Sequence, residues 1–466
     1  MGYTDFSYCL LVLCALAAYY ILPLNRRWTV LLTAGIVFYA FNDLKALPLV
    51  LLTAVFSFFA GKLLGRNKSK VLYICCAVIS VLPLLSKVIL SFAGIPFAGW
   101  LVPLGLSFYS LQIISYLTDV YTDKISPQEN CLKYILFITY FPQIIQGPIP
   151  RYEQLGHQLF EGHRFDEDKA VRGLQLIIWG YFLKLMIAEK AAPFVNRIFA
   201  DCYSYSGIIP LLAAALFIIQ LYADFLSCVT LSQGVSLLFG IEVADNFRRP
   251  VFAESISEFW RRWHLSLSHW LRDYVYFPLG GSRKGKLRKY LNIIVVFIIS
   301  GLWHGVGINY LIWGLFHAFC QIAGELTMPL RTGLCRAIRM PALLRTYIRR
   351  FNTFLLVVFS MFFFRAYGTS AGLYMIRSLF MRTGSSLPDL FSLGIDRYDF
   401  AVLAASLIFL LIIETMQEKG ISVCGIINKK PFAVRLGIYL AAFLVILVFG
   451  TYGIGFDSGQ FIYGMF

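Results

Sequence analysis

Histidine is the side chain whose ordinary pKa best suits proton transfer near neutral pH, and this sequence has six. The most informative is His304, which follows the strongly apolar run 291–299 and lies between Gly301 and Gly305. An ionisable group at membrane depth is costly and is a functional candidate by default. We therefore predict His304 as a candidate general base, with the neighbouring glycines leaving space for the close approach of backbone or substrate. The alternative is a buried histidine that a neighbouring helix satisfies.

The other histidines are weaker candidates. His264 and His269 lie on an unusual segment, residues 255–277. His317 lies thirteen residues after His304, about 220° around a continuous helix, so we expect a structural role for it. Two more lie in a polar loop rich in acidic residues and should be solvated: His157 and His163.

Two charged residues in other apolar stretches form a second candidate cluster. Asp224 follows the apolar run 211–223, and Lys184 lies within the apolar stretch 177–187. Because a charge in the membrane is expensive and is commonly paired, we predict an ion pair between these two side chains. Its role would be structural.

The segment 255–277 is predicted to form one amphipathic helix. Ser255 and Glu258 have the S-x-x-E spacing of a capping box. Apolar residues recur on one helical face: Trp263, Leu267, Trp270, Leu271 and Tyr274. Another face is cationic and polar: Arg261, Ser268 and Arg272. Such a helix would lie in the membrane interface as an anchor, or line the mouth of a cavity.

The elements that must position these residues are membrane helices. The chain has 466 residues, of which 59% are hydrophobic and 14% charged, far from the roughly 25% charged residues of soluble domains. Several apolar runs approach the ~20 residues needed for a crossing: 10–24, 71–85, 208–222 and 436–449. The alternating strands of a barrel are not seen. We predict an all-α, polytopic transmembrane helix bundle of ten to twelve spans, with re-entrant and interfacial helices, forming a single membrane domain over residues 1–466.

The net charge of +16 does not indicate a nucleic-acid partner, because the basic residues flank apolar segments. They form five clusters that we assign to the cytoplasm by the positive-inside rule: Arg26 and Arg27; Lys62, Arg66, Lys68 and Lys70; residues 283–289; residues 331–350; Lys429 and Lys430. The poorly charged loops 42–44, 96–99 and 385–399 would lie outside, as would both termini. No metal site is predicted, and the ten cysteines are interpreted as small hydrophobes.

Two stretches should interrupt the regular spans. Residues 106–117 are shorter than a full crossing and are predicted to form a re-entrant piece. Residues 141–152 contain three prolines and a glycine, which break the helix. Such a break is tolerated at membrane depth only where protein or a water-filled cavity receives the freed backbone groups.

Four blocks of the sequence resemble the membrane-bound O-acyltransferases. They are similar to the bacterial branch with the alginate O-acetyltransferase membrane subunit, the peptidoglycan O-acetyltransferases and the teichoic-acid D-alanyl transfer protein. The blocks are residues 141–152, 222–250 ending in Asp245-Asn246-Phe247-Arg248-Arg249-Pro250, 255–281 with Trp260-Arg261-Arg262-Trp263-His264, and 301–317 with Trp303-His304-Gly305. They follow the family's order, and residues 452–466 resemble its C-terminus. The first 140 residues resemble the family only in hydropathy.

This resemblance implies roles for two histidines. His304 corresponds to the essential histidine of the family's Trp-His-Gly motif, and His264 to the second important histidine. The chain departs from the family after Asp224, where many relatives read Asp-Phe-Ser-Gly-Tyr-Ser-Asp and this chain has Asp-Phe-Leu-Ser-Cys-Val-Thr. No role is carried over to the positions after Asp224.

The resemblance also implies an activity. An acyl group would pass from a cytoplasmic thioester donor, acetyl-CoA or an acyl carrier, to hydroxyls of a cell-envelope polysaccharide. The donor would be a substrate, with no cofactor bound permanently, and an extracytoplasmic esterase-like partner would assist. Chain length and the Gly280-Gly281-Ser282-Arg283 block favour acetyl over D-alanyl transfer. A membrane transporter is the alternative of another class, but the paired repeats that it predicts are not found.

Overall fold

The structure is a computed structural model that describes residues 1–92, 103–381 and 390–453. Within these ranges the chain is helical and contains no β-strand, which confirms the predicted all-α bundle. Three predicted features lie outside the described residues: the loop 96–99, the first part of the loop 385–399, and the family-like residues 454–466.

Twenty-one α-helices follow one another in the described ranges. The first eight are α1 Phe6–Ile21, α2 Arg27–Asp43, α3 Leu47–Arg66, α4 Lys70–Ser80, α5 Leu82–Phe92, α6 Leu106–Tyr121, α7 Cys131–Thr139 and α8 Tyr152–Phe160. The next seven are α9 Glu167–Phe182, α10 Glu189–Ala200, α11 Ile208–Leu238, α12 Ile256–Trp260, α13 Leu265–Leu271, α14 Lys286–His304 and α15 Ile308–Leu326. The last six are α16 Met328–Ala337, α17 Ala342–Arg365, α18 Thr369–Ser378, α19 Arg397–Glu418, α20 Val423–Asn428 and α21 Phe432–Phe449. Two π-helical segments, Leu183–Ala188 and Arg272–Tyr276, extend α9 into α10 and continue α13.

Seven helices of the described chain are long and apolar enough to cross a membrane. They are α3, the continuous α9–α10 helix, α11, α14, α17, α19 and α21. The helices α4 and α5 add an eighth if they count as one span, although they meet at 64°. The apolar run 71–85 is therefore not one straight span, because Pro83 in the first turn of α5 cannot donate a backbone hydrogen bond. The number of ten to twelve spans stays a prediction.

The helix α11 forms the centre of the bundle. Of its most apolar stretch 67% is buried, compared with 6% for α21, although α21 has the higher mean hydropathy. The helix α9 packs closely on α11, since a Cβ on Gly173 would lie 2.8 Å from the carbonyl oxygen of Gly234. Small residues that allow backbones to approach are typical of helix contacts in membranes, where apolarity alone does not drive association.

A buried ion cluster joins the same helices. Lys184 Nζ lies 2.7 Å from Asp224 Oδ1 on α11 and 2.6 Å from Glu189 Oε1. The predicted pair of Lys184 and Asp224 is confirmed, and Glu189 is an additional partner that the sequence did not indicate. Lys184 and Asp224 are almost fully buried, so each charge is compensated inside the protein.

The two predicted interruptions differ in their outcome. Residues 141–151 are non-helical and almost entirely buried, as their prolines predict. Protein groups contact this backbone: Tyr3 donates from its hydroxyl to Pro142 O at 2.7 Å, and Gly147 N–H donates to Gln143 O at 2.8 Å. The other stretch forms α6, which continues to Tyr121, spans 16 residues and is not among the seven helices long enough to cross a membrane. Its re-entrant course stays a prediction.

Candidate active site

His304 is the last residue of α14, at the turn that connects this helix to α15. The two helices pack along one another as a helical hairpin. The imidazole is buried, with 4% of the residue exposed. The continuous helix that we assumed between His304 and His317 is therefore wrong, because the chain turns at Gly305 and Gly307.

The glycines around His304 do not leave open space. A Cβ on Gly301 would lie 2.5 Å from Tyr310 O, and one on Gly305 would collide with the Tyr310 ring. A Cβ on Gly307 would collide with the side chain of Asn309. Of the two alternatives predicted, the close approach of backbone is confirmed at Gly301, and no room for substrate is seen at these glycines. The first turn of α15 occupies that room, so the glycines permit the tight hairpin that places His304.

The segment 255–277 contains two helices instead of the predicted one. Ser255 caps α12 as predicted, by accepting from Glu258 N–H at 3.1 Å, but α12 ends at Trp260. His264 then adopts a left-handed conformation with φ of +47°, which is uncommon for a non-glycine residue, and α13 begins after it. The periodicity could not reveal this break because the apolar spacing continues through it.

Asn246 binds the chain directly after the break at His264. Its carbonyl oxygen accepts from Leu265 N–H at 2.9 Å, and its Oδ1 accepts from Ser266 N–H at 2.9 Å. These N–H groups belong to the first turn of α13, where no intrahelical acceptor exists. Asn246 therefore supplies the cap that fixes the residue next to His264. The residue was in a block that resembled the family, but no role had been assigned to it.

A cluster of charged residues binds the chain before the break at His264. Arg248 N–H donates to Arg262 O at 2.8 Å. The Arg262 guanidinium lies 2.8 Å from Glu258 and 2.9 Å from Glu418 at the end of α19, and Arg249 Nε lies 2.7 Å from Glu418. His264 is thus bracketed by backbone and side-chain contacts. Glu418 was not identified from the sequence, because it lies far from this segment along the chain.

The amphipathic pattern itself is confirmed. The predicted apolar side is inside the protein, with Trp263, Leu267, Trp270 and Leu271 buried and Tyr274 half-buried. Trp270 donates from Nε1 to Leu111 O on α6 at 3.0 Å. On the other side Arg261 and Arg272 are exposed and Ser268 is half-buried.

The fold brings His264 and His304 together. Their ring centroids lie 6.5 Å apart, and Trp303 contacts both, at 5.7 Å from His264 and 4.8 Å from His304. Phe225 packs edge-on against His264 at 4.8 Å. Trp313 and Phe364 pack against His304 at 5.1 and 5.3 Å between ring centroids. The two imidazoles that the sequence indicated separately therefore share one aromatic enclosure, and their proximity was not predicted.

Burial determines the charge state of His264. The residue has no exposed surface, and desolvation lowers the pKa of its imidazole well below the ordinary value. The neighbouring His304 lowers it further, since two cations would repel each other. His264 is therefore neutral at physiological pH, the form in which an imidazole can accept a proton.

His317 has both ring nitrogens in structural contacts. Trp260 donates from Nε1 to Nδ1 at 3.3 Å, and Nε2 lies 3.1 Å from the hydroxyl oxygen of Ser360. Ser360 in turn donates to Val357 O at 2.7 Å. This chain of donors assigns the proton of a neutral His317 to Nε2. It supports the structural role expected for this residue.

The remaining histidines lie away from the pair. His157 is exposed on α8, as predicted. His163 is less solvated than predicted, because the residue is half-buried and Nε2 lies 2.7 Å from Gln158 O. His269 is exposed on the polar side of α13.

A cavity of about 230 Å³ lies beside the site. It is bounded by α11, α17 and α19, and Trp263, the neighbour of His264, forms part of its wall. Its lining is apolar apart from three residues, Tyr222, Thr353 and Glu414, of which Tyr222 donates from its hydroxyl to Glu414. Neither His264 nor His304 lines this cavity.

The sequence model of the membrane-bound O-acyltransferase family matches residues 108–367, which include both histidines of the pair. The chain is similar to a probable alginate O-acetylase of Azotobacter vinelandii, with 33% identity over 80% of this chain and 77% of the relative. It is 31% identical to the peptidoglycan O-acetyltransferase of Helicobacter pylori, over 78% of this chain and 75% of that protein. It is 28% identical to the teichoic acid D-alanyltransferase of Bacillus subtilis, over 56% of this chain and 70% of that protein.

Proposed function

This chain belongs to the membrane-bound O-acyltransferase family, and from this premise we propose that it transfers acetyl groups to hydroxyls of a cell-envelope polysaccharide, with His304 as the general base. It is an acyltransferase of the cell membrane with several membrane-spanning helices. The observation that carries the proposal is the buried pair of His264 and His304 inside the matched region.

The choice of acetyl rests on the relatives. Those named for O-acetyl transfer to alginate or peptidoglycan are 31–33% identical over 78–80% of this chain. The relative named for D-alanyl transfer to teichoic acid is less similar, at 28% identity over 56% of the chain. The match to the acetyl-transferring relatives therefore extends over more of the bundle, and it favours acetyl as the group transferred.

The two histidines receive different roles. His304 would take the proton from the acceptor hydroxyl, or from a relay group, as its oxygen attacks the acyl carbonyl. His264, neutral and 6.5 Å away between ring centroids, would assist as a second proton-handling group or by orienting the acceptor. Because both imidazoles are buried among aromatic rings, access of water would be limited, which would reduce loss of the acyl group by hydrolysis.

The donor and partner complete the proposal. We propose a cytoplasmic thioester, acetyl-CoA or an acetylated carrier, as the donor, with no cofactor held permanently. An esterase-like protein on the outer side would receive the acetyl group or guide the polymer. The buried imidazoles of His264 and His304 support a base-catalysed acyl transfer from either donor.

The test is loss of acetylation without loss of protein. In cells that depend on this chain for the modification, His304→Ala should lower base-labile acetate on the envelope polymer by roughly 10²- to 10⁴-fold, the usual contribution of a general base. Immunoblotting of membranes should show that the variant accumulates at the wild-type level.

His157→Ala is the matched control, because this histidine is exposed and away from the pair. It should leave acetylation unchanged. Wild-type acetate on the polymer in the His304→Ala strain would overturn the assignment. Base-labile D-alanine in place of acetate would overturn the choice of acyl group and leave the role of His304 intact.

A further inference from the structure

Three tryptophans contact the buried imidazoles of His264, His304 and His317, and two of them use their indole N–H in the protein. Trp303 donates from Nε1 to Ser107 O at 3.2 Å, and Trp260 donates from Nε1 to His317 Nδ1 at 3.3 Å. Trp313 differs. Its Nε1 is buried and has no hydrogen-bond acceptor in the part of the chain that the structure describes.

A buried N–H without an acceptor is unusual. Indole N–H groups nearly always find a partner when they leave water, and each exception in a native protein calls for a specific reason. Trp313 is only 3% exposed, so water at the protein surface cannot accept a hydrogen bond from its N–H. Packing explains the size of this buried side chain but not its N–H, because a donor adds nothing to apolar contacts and is costly to bury unsatisfied.

The position of this indole gives the reason. Trp313 packs edge-on against His304, with ring centroids 5.1 Å apart and ring planes at 86°. Three further rings hold it: His317 at 5.0 Å, Phe364 at 5.2 Å and Trp260 at 5.7 Å. The indole is therefore packed among four rings beside the candidate general base, and its N–H is buried. A preorganised donor in such a place is most effective where negative charge develops during a reaction.

We propose that Trp313 Nε1–H donates a hydrogen bond to the carbonyl oxygen of the acyl group during transfer. This inference rests on the proposed function. In the first step the acceptor hydroxyl gives its proton to His304, its oxygen bonds to the carbonyl carbon, and the carbonyl π electrons move to the oxygen. In the second step the carbon–oxygen double bond re-forms, the carbon–sulfur bond breaks, and the thiolate takes the proton from His304. The indole keeps its proton throughout and stabilises the oxyanion between the two steps.

The experiment compares three variants, each of which removes one indole N–H. Trp313→Phe, Trp260→Phe and Trp303→Phe are expressed in membranes, acetyl-CoA is the donor, and released thiol is measured with the host's envelope polymer as acceptor. Trp313→Phe should lower kcat by roughly 10²- to 10³-fold, as for loss of one oxyanion donor, and leave the KM for acetyl-CoA unchanged. Its thermal midpoint should fall less than those of Trp260→Phe and Trp303→Phe, because all three variants lose ring volume but this one loses no hydrogen bond.

The control variants separate this role from packing. Trp260→Phe and Trp303→Phe each remove a bonded N–H, so their thermal midpoints should fall. Wild-type kcat in Trp313→Phe would overturn the inference, as would a loss of kcat that accompanies an equal fall in thermal midpoint. If Trp313→Phe does not accumulate, benzothienylalanine at position 313 keeps the indole shape without the N–H and must give the same low kcat.

A parallel measurement on His304→Ala distinguishes the two proposals. If His304→Ala loses turnover while Trp313→Phe keeps it, only the role of Trp313 fails. If His304→Ala keeps turnover, the proposed function fails as well.

Discussion

Phe225 on α11 packs edge-on against the imidazole of His264, with ring centroids 4.8 Å apart and ring planes at 89°. Its chain neighbour Asp224 is paired with Lys184 at 2.7 Å. Two successive residues of α11 therefore have different roles. Asp224 anchors the helix in the bundle, and Phe225 contacts the candidate site. The turn of α11 that forms the ion pair therefore also contributes one wall of the candidate site.

The first prediction concerns this ion cluster. Lys184→Met leaves the carboxylates of Asp224 and Glu189 buried without their shared cation, and removing one partner of a buried pair costs about 3–5 kcal/mol. Thermal unfolding in detergent should show a markedly lower midpoint. Lys190→Met is the control, because its partner Asp399 is half exposed and can be solvated. Equal shifts in the two variants would contradict a special role for the buried cluster.

A second prediction concerns the coupling of the two histidines. If His264 acts on the same proton transfer as His304, their substitutions should not be additive. His264→Ala should lower acetate on the polymer by at least about tenfold, and His264→Ala with His304→Ala should be no worse than His304→Ala alone. Base-labile acetate per unit polymer is the measurement. Multiplicative losses would indicate independent roles.

The third prediction concerns Asn246, which caps the turn after His264. Asn246→Ala removes the Oδ1 that accepts from Ser266 N–H, leaving a buried backbone donor unpaired at a cost of about 1–3 kcal/mol. Acetylation should fall more than protein accumulation, since the change displaces His264. Asn246→Asp keeps the acceptor oxygen and should recover part of the activity. Equal activities of the two variants would exclude this capping role.

Much of the helical architecture could be predicted because lipid offers the backbone no hydrogen-bond partners. Long apolar runs in a chain with few charges must satisfy their own backbone, so residues such as 208–222 could be assigned to a helix directly. The cost of a buried charge likewise predicted the pairing of Lys184 with Asp224, which the structure confirms. The depth of each helix in the bundle could not be predicted, because α21 is more apolar than α11 and yet lies at the edge.

The site was harder to predict than the fold. The chemistry of histidine and its neighbours identified His304 and His264, but not their 6.5 Å separation, which depends on the α14–α15 hairpin and on the break at residue 264. The break depends on Asn246, which is distant enough in sequence to be invisible to periodicity. Trp313 could not be identified from the sequence, because the folded structure is needed to see that its N–H has no acceptor.

The fourth prediction concerns the close packing of α9 on α11. A Cβ on Gly234 would lie 2.7 Å from Gly173 O, a backbone atom that cannot move alone. Gly234→Ala should therefore separate the helices and cost about 1–3 kcal/mol, seen as a lower thermal midpoint. Gly437→Ala on α21 meets no atom within 4 Å and should leave the midpoint unchanged or slightly higher. The prediction would fail if both variants behaved alike.

The last prediction concerns the polar side of the segment 255–277. Arg272 is exposed, Ser268 is half-buried and Leu267 is buried, so single cysteines at these positions should react with a polar, membrane-impermeant thiol reagent in that order. The background must first lack the exposed native thiols Cys14, Cys75 and Cys424. Arg272→Cys should label fully in opened membrane vesicles, because the side chain it replaces is exposed and its ion-pair partner Asp273 is also partly exposed. Leu267→Cys should label only after denaturation. Complete protection of Arg272→Cys in a protein that still acetylates the polymer would mean that this face lies in lipid, and the segment would then be a membrane anchor.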